Sequence, residues 1–371
     1  MTDGSGRHDG TTGISRITGT TSTTGTTGIA RSTSTAGRSR GRRALVIGAA
    51  ALALTAPLAL GGAAAAGATG QGATSYALAP RTTVAVGPAT VLAVSPPTAR
   101  TIVFSRYSAT ASIEDLYAIA PAGGTAVKVT DTPTVSDVMP SWSPDGKRLA
   151  FVRYGSGGAI DGIWTMKAGG GGLAPLPGAK GGSEPAWSPD GTRIAYVKPV
   201  GTQRELYVAD LDGTPTTRLT HTAADEGRPS WSPDGKNLAY SRSDATTGYS
   251  RLLRINVATH AQTPFTGPVT HDATPDWSRT GWIVFSRVET AGGFAHLFVI
   301  RPDGSGLKRI TAARANDKYP AWSPDGSRVV FTRGGSDDAD PEHLWLVRGD
   351  GTAPKQLTKT PSHDQQADWR P

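Results

Sequence analysis

One phrase recurs along this chain at a nearly constant interval. PSWSPDGKRLAFVR begins at Pro140, PAWSPDGTRIAYVK at Pro185, PSWSPDGKNLAYSR at Pro229, PDWSRTGWIVFSR at Pro275 and PAWSPDGSRVVFTR at Pro320. A truncated copy ends the chain at Trp369. Its tryptophan and the five before it (Trp142, Trp187, Trp231, Trp277, Trp322) are spaced by 45, 44, 46, 45 and 47 residues. Such a period marks a repeat architecture, in which each unit buries its hydrophobic face only against its neighbours.

Each unit reads as four strands. The tryptophan segment is the first. It ends in a turn, SPDG in most copies, where proline presets φ, Asp favours the third position and Gly supplies a positive φ. The turn glycines are Gly146, Gly191, Gly235, Gly281 and Gly326. An alternating segment such as RLAFVR follows, then a third strand (LYAIA, IWTMK, LYVAD, LLRIN, LFVIR, LWLVR). A second tight turn, often DG, leads to a short last strand such as TRLT or KQLT. Four strands in about 45 residues is the size of one β-propeller blade, and no helix-period segment separates the strands.

The two ends of the repeat region complement each other. The last copy stops after its tryptophan strand, while TIVFSR, starting at Thr101, has the later strands but no tryptophan strand before it. Joined, they make one blade. The sequence therefore predicts an all-β, six-bladed propeller over 101–371, closed by strand exchange between the termini. Closure removes two bare sheet edges.

Before the repeats, the chain changes character. Residues 1–43 are Thr, Gly, Ser and Arg, a composition that cannot offset chain entropy by burial, and they read as a disordered cytoplasmic tail. Residues 44–68 follow a basic flank ending at Arg42-Arg43 and contain the apolar run 44–66; no charge occurs between Arg43 and Arg81. This is an export signal or a membrane anchor. Small residues at Ala64, Ala66 and Ala68 offer cleavage sites, and the paired arginines resemble a twin-arginine signal. Residues 69–100 read as a linker with one short strand at 82–87. The expected location is exported: secreted, periplasmic, or anchored to the outer face of the cytoplasmic membrane. Membrane contact is expected only through 44–66, if uncleaved.

The formal charge of +8 is misleading, because the first 43 residues hold seven Arg and two Asp. The remainder is near balance, and no nucleic-acid partner is indicated. The chain has no Cys, which excludes disulfides, thiolate metal sites and Cys nucleophiles.

The phrase PxWSPDGxxLAY, as it stands at 140–151, 185–196, 229–240 and 320–331, resembles the TolB-type WD-like (PD) repeat. The copy at Pro275 keeps Pro275, Trp277, Ser278 and Gly281 but has Arg279-Thr280 in place of Pro-Asp. The resemblance covers about 270 residues, from Thr101 onward. It implies a six-bladed propeller, often outside the cytoplasmic membrane and often a binding platform. TolB itself carries an α/β domain before its propeller; here only the linker stands there. Relatives of the repeat also accompany peptidase domains, but the repeat region 101–371 shows no G-x-S-x-G nucleophile elbow.

Two sets of residues bear on function. An acid stands three residues before the proline of the phrase, or its equivalent, at Asp137, Glu226, Asp272, Asp317 and Asp364; the copy at Pro185 has Gly182 there, with Glu184 nearby. Five acids at equivalent positions would ring one mouth of the channel and offer a site for a divalent cation or a basic peptide. The plainer reading is that each acid caps N–H groups of its own loop. Separately, His221, His271 and His363 lie in loops before tryptophan strands, where blade symmetry would place them near that mouth. The expected function is a non-catalytic, extracytoplasmic, monomeric module that binds a protein or peptide on the propeller face, with no cofactor beyond a cation at the mouth. The alternative is a propeller hydrolase or lyase using mouth carboxylates and His with a divalent metal.

Overall fold

The structure, a computed structural model, describes residues 101–371 apart from 109–111, 212–215, 291 and 336–339. The expected tail, signal or anchor, and linker lie outside the described residues.

Among the described residues, twenty-four strands form six four-stranded antiparallel sheets. Blade 1 combines β1 (Ile102–Ser108), β2 (Ile113–Ile119) and β3 (Val127–Lys128) with the last strand of the chain, described below. Blade 2 is β4 (Ser136–Trp142), β5 (Arg148–Tyr154), β6 (Ile160–Lys167) and β7 (Ala174–Lys180). Blade 3 is β8 (Ser183–Trp187), β9 (Arg193–Val200), β10 (Gln203–Asp210) and β11 (Thr217–Arg218). Blade 4 is β12 (Asp225–Trp231), β13 (Asn237–Ser243), β14 (Ser250–Asn256) and β15 (Gln262–Pro264). Blade 5 is β16 (Asp272–Trp277), β17 (Ile283–Val288), β18 (Ala295–Ile300) and β19 (Lys308–Arg309). Blade 6 is β20 (Asn316–Trp322), β21 (Arg328–Gly334), β22 (His343–Arg348) and β23 (Lys355–Gln356). The last strand, β24 (Asp364–Trp369), pairs with β1 and supplies the inner strand of blade 1, as the complementary ends of the repeat predict.

The hairpin turns follow from their residues. In blade 2, Ser143 Oγ donates to Asp145 Oδ1 at 2.6 Å, and that oxygen accepts the Lys147 N–H at 3.0 Å. Gly146 closes the turn at φ 64°. In blade 5, Thr280 takes the place of the Asp, with Ser278 Oγ and Thr280 Oγ1 at 2.9 Å.

The core is divided into interfaces. Each of six apolar clusters joins consecutive blades, for example Ala195, Leu206, Trp231 and Tyr240 between blades 3 and 4. The tryptophans stitch these interfaces in two ways. Nε1 of Trp187, Trp231 and Trp369 donates to the preceding blade's backbone at Ser141, Ala186 and Ala321, at 3.0–3.1 Å. At the other three interfaces the indole Nε1 of Trp142, Trp277 and Trp322 has no partner. There the preceding blade offers a polar side chain instead: Asp368, Ser230 and Asp276 accept the tryptophan backbone N–H at 2.7–2.8 Å.

Candidate functional site

All five predicted acids stand at equivalent positions near the start of the inner strands, and all five are fully buried. Each is the cross-strand partner of an arginine that ends the repeated phrase: Asp137 of Arg153, Glu226 of Arg242, Asp272 of Arg287, Asp317 of Arg333 and Asp364 of Arg106. The four aspartates are gripped at both oxygens. Arg153 Nε and a terminal nitrogen, for example, donate to Asp137 at 2.7 and 2.8 Å. Arg242 Nε donates to Glu226 at 2.9 Å. Each guanidinium also lies over an aromatic ring of its own blade, as Arg333 does over Trp345 at 4.6 Å. The acids thus form five acid–arginine–aromatic clamps, and the ring does not present five free carboxylates to the mouth. The signal was in the phrase. The copy with Gly182 in place of the acid also lacks the arginine, having Lys198 there. Gly182 is confined: a Cβ would lie 2.7 Å from the Tyr196 ring and 2.9 Å from the Ala179 carbonyl oxygen.

The histidines diverge. His221 is exposed, His271 packs on Tyr249 with ring centroids 5.0 Å apart, and His363 meets the edge of Tyr107. Among the described residues no three His, Asp or Glu side chains are grouped to hold a metal ion.

A different set of residues faces the channel. In the inner strands β4, β8, β12, β16 and β20 the register against the next strand shifts just before the tryptophan, in β8 between Ser183 and Ala186 although no clamp acid stands there, and a matching shift separates β24 from β1. The residue at each bulge adopts a left-handed backbone: Met139, Glu184, Arg228, Thr274, Tyr319 and Gln366, with φ between 50° and 57°. None is glycine, and each such residue costs of order 1–3 kcal/mol of backbone strain. These six, with the two residues after each, line a channel cavity of about 130 Å³.

The lining is asymmetric. Arg228 reaches across it. Its guanidinium lies 4.4 Å from the Tyr319 ring centroid, two blades away, and its Nε is 3.5 Å from Glu184 Oε1. Glu184 is buried and is also held by Arg204 at 3.2 Å and by the Arg228 backbone N–H at 2.5 Å. Deeper in the wall, Asp276 and Asp368 carry no arginine clamp. Asp276 accepts from Ser230 Oγ at 3.0 Å and Trp322 N–H at 2.7 Å. Asp368 accepts from the N–H groups of Trp142 and Trp369. Burial pushes both carboxyls up, Asp368 to about 7 with Asp276 adding to the effect.

A ring of six four-stranded blades with a bulged, lined channel is the architecture of a six-bladed β-propeller. The model of the TolB β-propeller domain (PD40) matches residues 102–371, and the chain belongs to that family. Two solved structures show the same fold. TolB from Acinetobacter baumannii is 18% identical, with 73% of this chain and 66% of that one aligned at a TM-score of 0.63. The putative TolB from Agrobacterium tumefaciens is 23% identical, with 72% and 91% aligned at 0.57. Among curated proteins, a dipeptidyl-peptidase 5 of Porphyromonas gingivalis is 41% identical over 56 residues, which is 15% of this chain and 8% of that protein.

Proposed function

We propose that this chain is a non-catalytic binding module of the cell envelope, exported from the cytoplasm, that takes a protein or peptide segment at the channel mouth. The observation that carries the reading is the chemistry of the six bulge positions. The residues that build the ring are nearly the same in every blade: tryptophan in six, proline or its Ala367 equivalent just after the bulge. The residues that face the channel are Met, Glu, Arg, Thr, Tyr and Gln, six different types on six copies of one backbone. Strained residues that serve only closure would converge on glycine, which adopts this conformation without a steric penalty. An asymmetric set of side chains on a symmetric scaffold suits an asymmetric ligand, and aromatic and arginine groups are the types that anchor protein contacts. Export is supported by Arg42-Arg43 followed by the uncharged run to Arg81.

The test is site-specific photo-crosslinking in producing cells. A photoreactive residue at Thr274 or Gln366 is expected to yield a discrete protein adduct in the exported fraction, whereas one at the exposed outer-strand residue Val127 is not. Adducts absent from both mouth positions, or equally strong at Val127, would overturn the reading. Sequencing the N-terminus of the recovered protein reports export separately.

A further inference from the structure

At four of the blade interfaces, a residue of the third strand approaches the clamp acid of the next blade. A threonine near the last strand lies beside both: its Oγ accepts the N–H of the following third-strand residue, as Thr220 does from Leu206 at 2.9 Å and Thr130 from Leu116 at 3.0 Å. The approaching residue differs between blades: Asp115, Glu205, His296 and His343 meet Asp137, Glu226, Asp317 and Asp364. Two interfaces thus set a carboxylate against a carboxylate.

Those two are solved differently. Between blades 1 and 2, Asp115 Oδ1 accepts from Thr132 Oγ1 at 3.1 Å, and Lys128 covers Oδ2 at 2.9 Å. Between blades 3 and 4, Arg218 stands where Lys128 does. It gives one terminal nitrogen to Glu205 Oε1 at 3.0 Å and turns its Nε to the Thr220 carbonyl. The Thr222 N–H goes to the same Oε1 at 2.9 Å. Glu205 is 1% exposed, and its Oε2 is buried with no donor. Facing it, Glu226 Oε1 accepts from Arg242 Nε and Thr222 Oγ1, while its Oε2 has only a long 3.4 Å contact with Thr220 Oγ1. Two carboxylates meet two arginines, but the interface is one hydrogen-bond donor short. A buried ionised oxygen without a donor carries its full desolvation cost.

We propose that Glu226 takes up a proton on Oε2 near neutral pH, and that Thr220 passes the resulting hydrogen bond on to Glu205, so that the interface between blades 3 and 4 is a proton-operated latch. The proton comes from solvent, and the only bond formed is the carboxyl O–H. The protonated Oε2 donates to Thr220 Oγ1, which frees the threonine's own hydrogen to turn towards Glu205. The electrostatics agree. Burial raises the Glu226 carboxyl, Glu205 adds to it, and together they outweigh Arg242 and Thr222 to leave it at about 7. At Glu205 burial is outweighed by Thr220, the Thr222 N–H and Arg218, and the carboxyl is lowered. Arg251 is the further charge in this neighbourhood, beyond Tyr240. Glu226 is two residues from Arg228 on β12, so the latch sits beside the channel mouth.

The test uses the full chain with ¹³C-labelled glutamate carboxyls and isotope-edited infrared spectroscopy. A protonated glutamate signal is expected at pH 6 that titrates out by about pH 9, given the raised carboxyl. It should persist in Glu114→Gln, a control for another raised glutamate, and shrink in Glu226→Gln. The Glu226→Gln amide mimics the protonated carboxyl, so its folding equilibrium constant should rise relative to wild type by roughly tenfold between pH 6 and 9. If Glu226→Gln does not fold, Glu205→Gln decides. Removing the neighbouring charge should move loss of the signal to lower pH. An unchanged signal in Glu226→Gln, a flat stability difference across that range, or an unmoved titration in Glu205→Gln would each overturn the proposal.

Discussion

The carboxylate of Asp368 accepts the backbone N–H of Trp142 at 2.7 Å across 226 residues of chain. This bond ties the last strand to the second blade. Arg370 extends the tie, with its guanidinium over the Trp142 ring at 5.2 Å and its Nε donating to the Gly146 carbonyl at 3.1 Å. The C-terminal strand is therefore bound on both sides, to β1 in its own sheet and to blade 2 beside it.

Deleting residues 365–371 should unfold the domain or send it into aggregates. Loss of buried Trp369 alone costs about 3–5 kcal/mol, against a whole-domain stability of about 5–15 kcal/mol. The bared edge of β1 then invites pairing with other chains. Urea melts and size-exclusion chromatography of the truncated protein check this; a midpoint within error of the intact protein contradicts closure through β24.

The clamps predict an unequal response to single and paired changes. Arg153→Leu leaves Asp137 buried without its cation and should cost about 3–5 kcal/mol. Adding Asp137→Leu should recover most of that loss, because two apolar side chains need no partner. A double-mutant cycle in urea measures the coupling, and additive losses would show that the pair is not a unit.

Gln366→Gly should raise stability by up to about 1 kcal/mol, because glycine reaches φ 55° without a Cβ penalty. The same change should weaken crosslinking through neighbouring mouth positions. Thermal melts set beside adduct yield test this trade, and a destabilised Gln366→Gly variant would mean that side-chain contacts outweigh the strain.

Asp368 predicts a pH dependence of definite sign. Its folded carboxyl is raised from 3.8 to about 7, so the folded state binds this proton more tightly than the unfolded chain does. The contribution is fully present below about pH 4 and is lost as pH rises through about 7. Asn keeps a carbonyl for the Trp142 N–H but cannot ionise. Asp368→Asn should therefore gain on wild type steadily from pH 4 to pH 8. Equilibrium unfolding at several pH values reads the difference, and a constant offset would place the carboxyl outside that window.

The ring was legible because it is written in residues that act locally. Tryptophan spacing set the blade length, turn chemistry set the hairpins, and the split repeat foretold the pairing of Ile102 with Trp369. The acids could be read as a set from the repeat, yet what each does depends on an arginine about sixteen residues further on in four blades, as with Asp137 and Arg153, and at the other end of the chain for Asp364 and Arg106; these come alongside only when the strands pair in register. The joint absence of acid and arginine at Gly182 and Lys198 was the available clue. The left-handed bulges could not be read. A residue before proline, such as Met139 or Tyr319, reads as extended. The left-handed turn coincides with the register shift against the next strand, a feature of strand pairing that the local sequence does not carry.

The pairing of Ile102 with Trp369, and the bond from the Arg370 N–H to the Thr101 carbonyl at 2.8 Å, bring both ends of the propeller out at the same end of the seam between β1 and β24. This sets its response to mechanical load. A pull on Thr101 against Pro371 meets the hydrogen bonds between β1 and β24 one at a time, from the Trp369 end, and the seam peels. A pull directed along a strand between points at opposite ends of the seam loads the same bonds together. The direction of an applied force therefore sets whether the hydrogen bonds of this seam carry a load in turn or together, with the ties of Asp368 and Arg370 to blade 2 sharing it in either case.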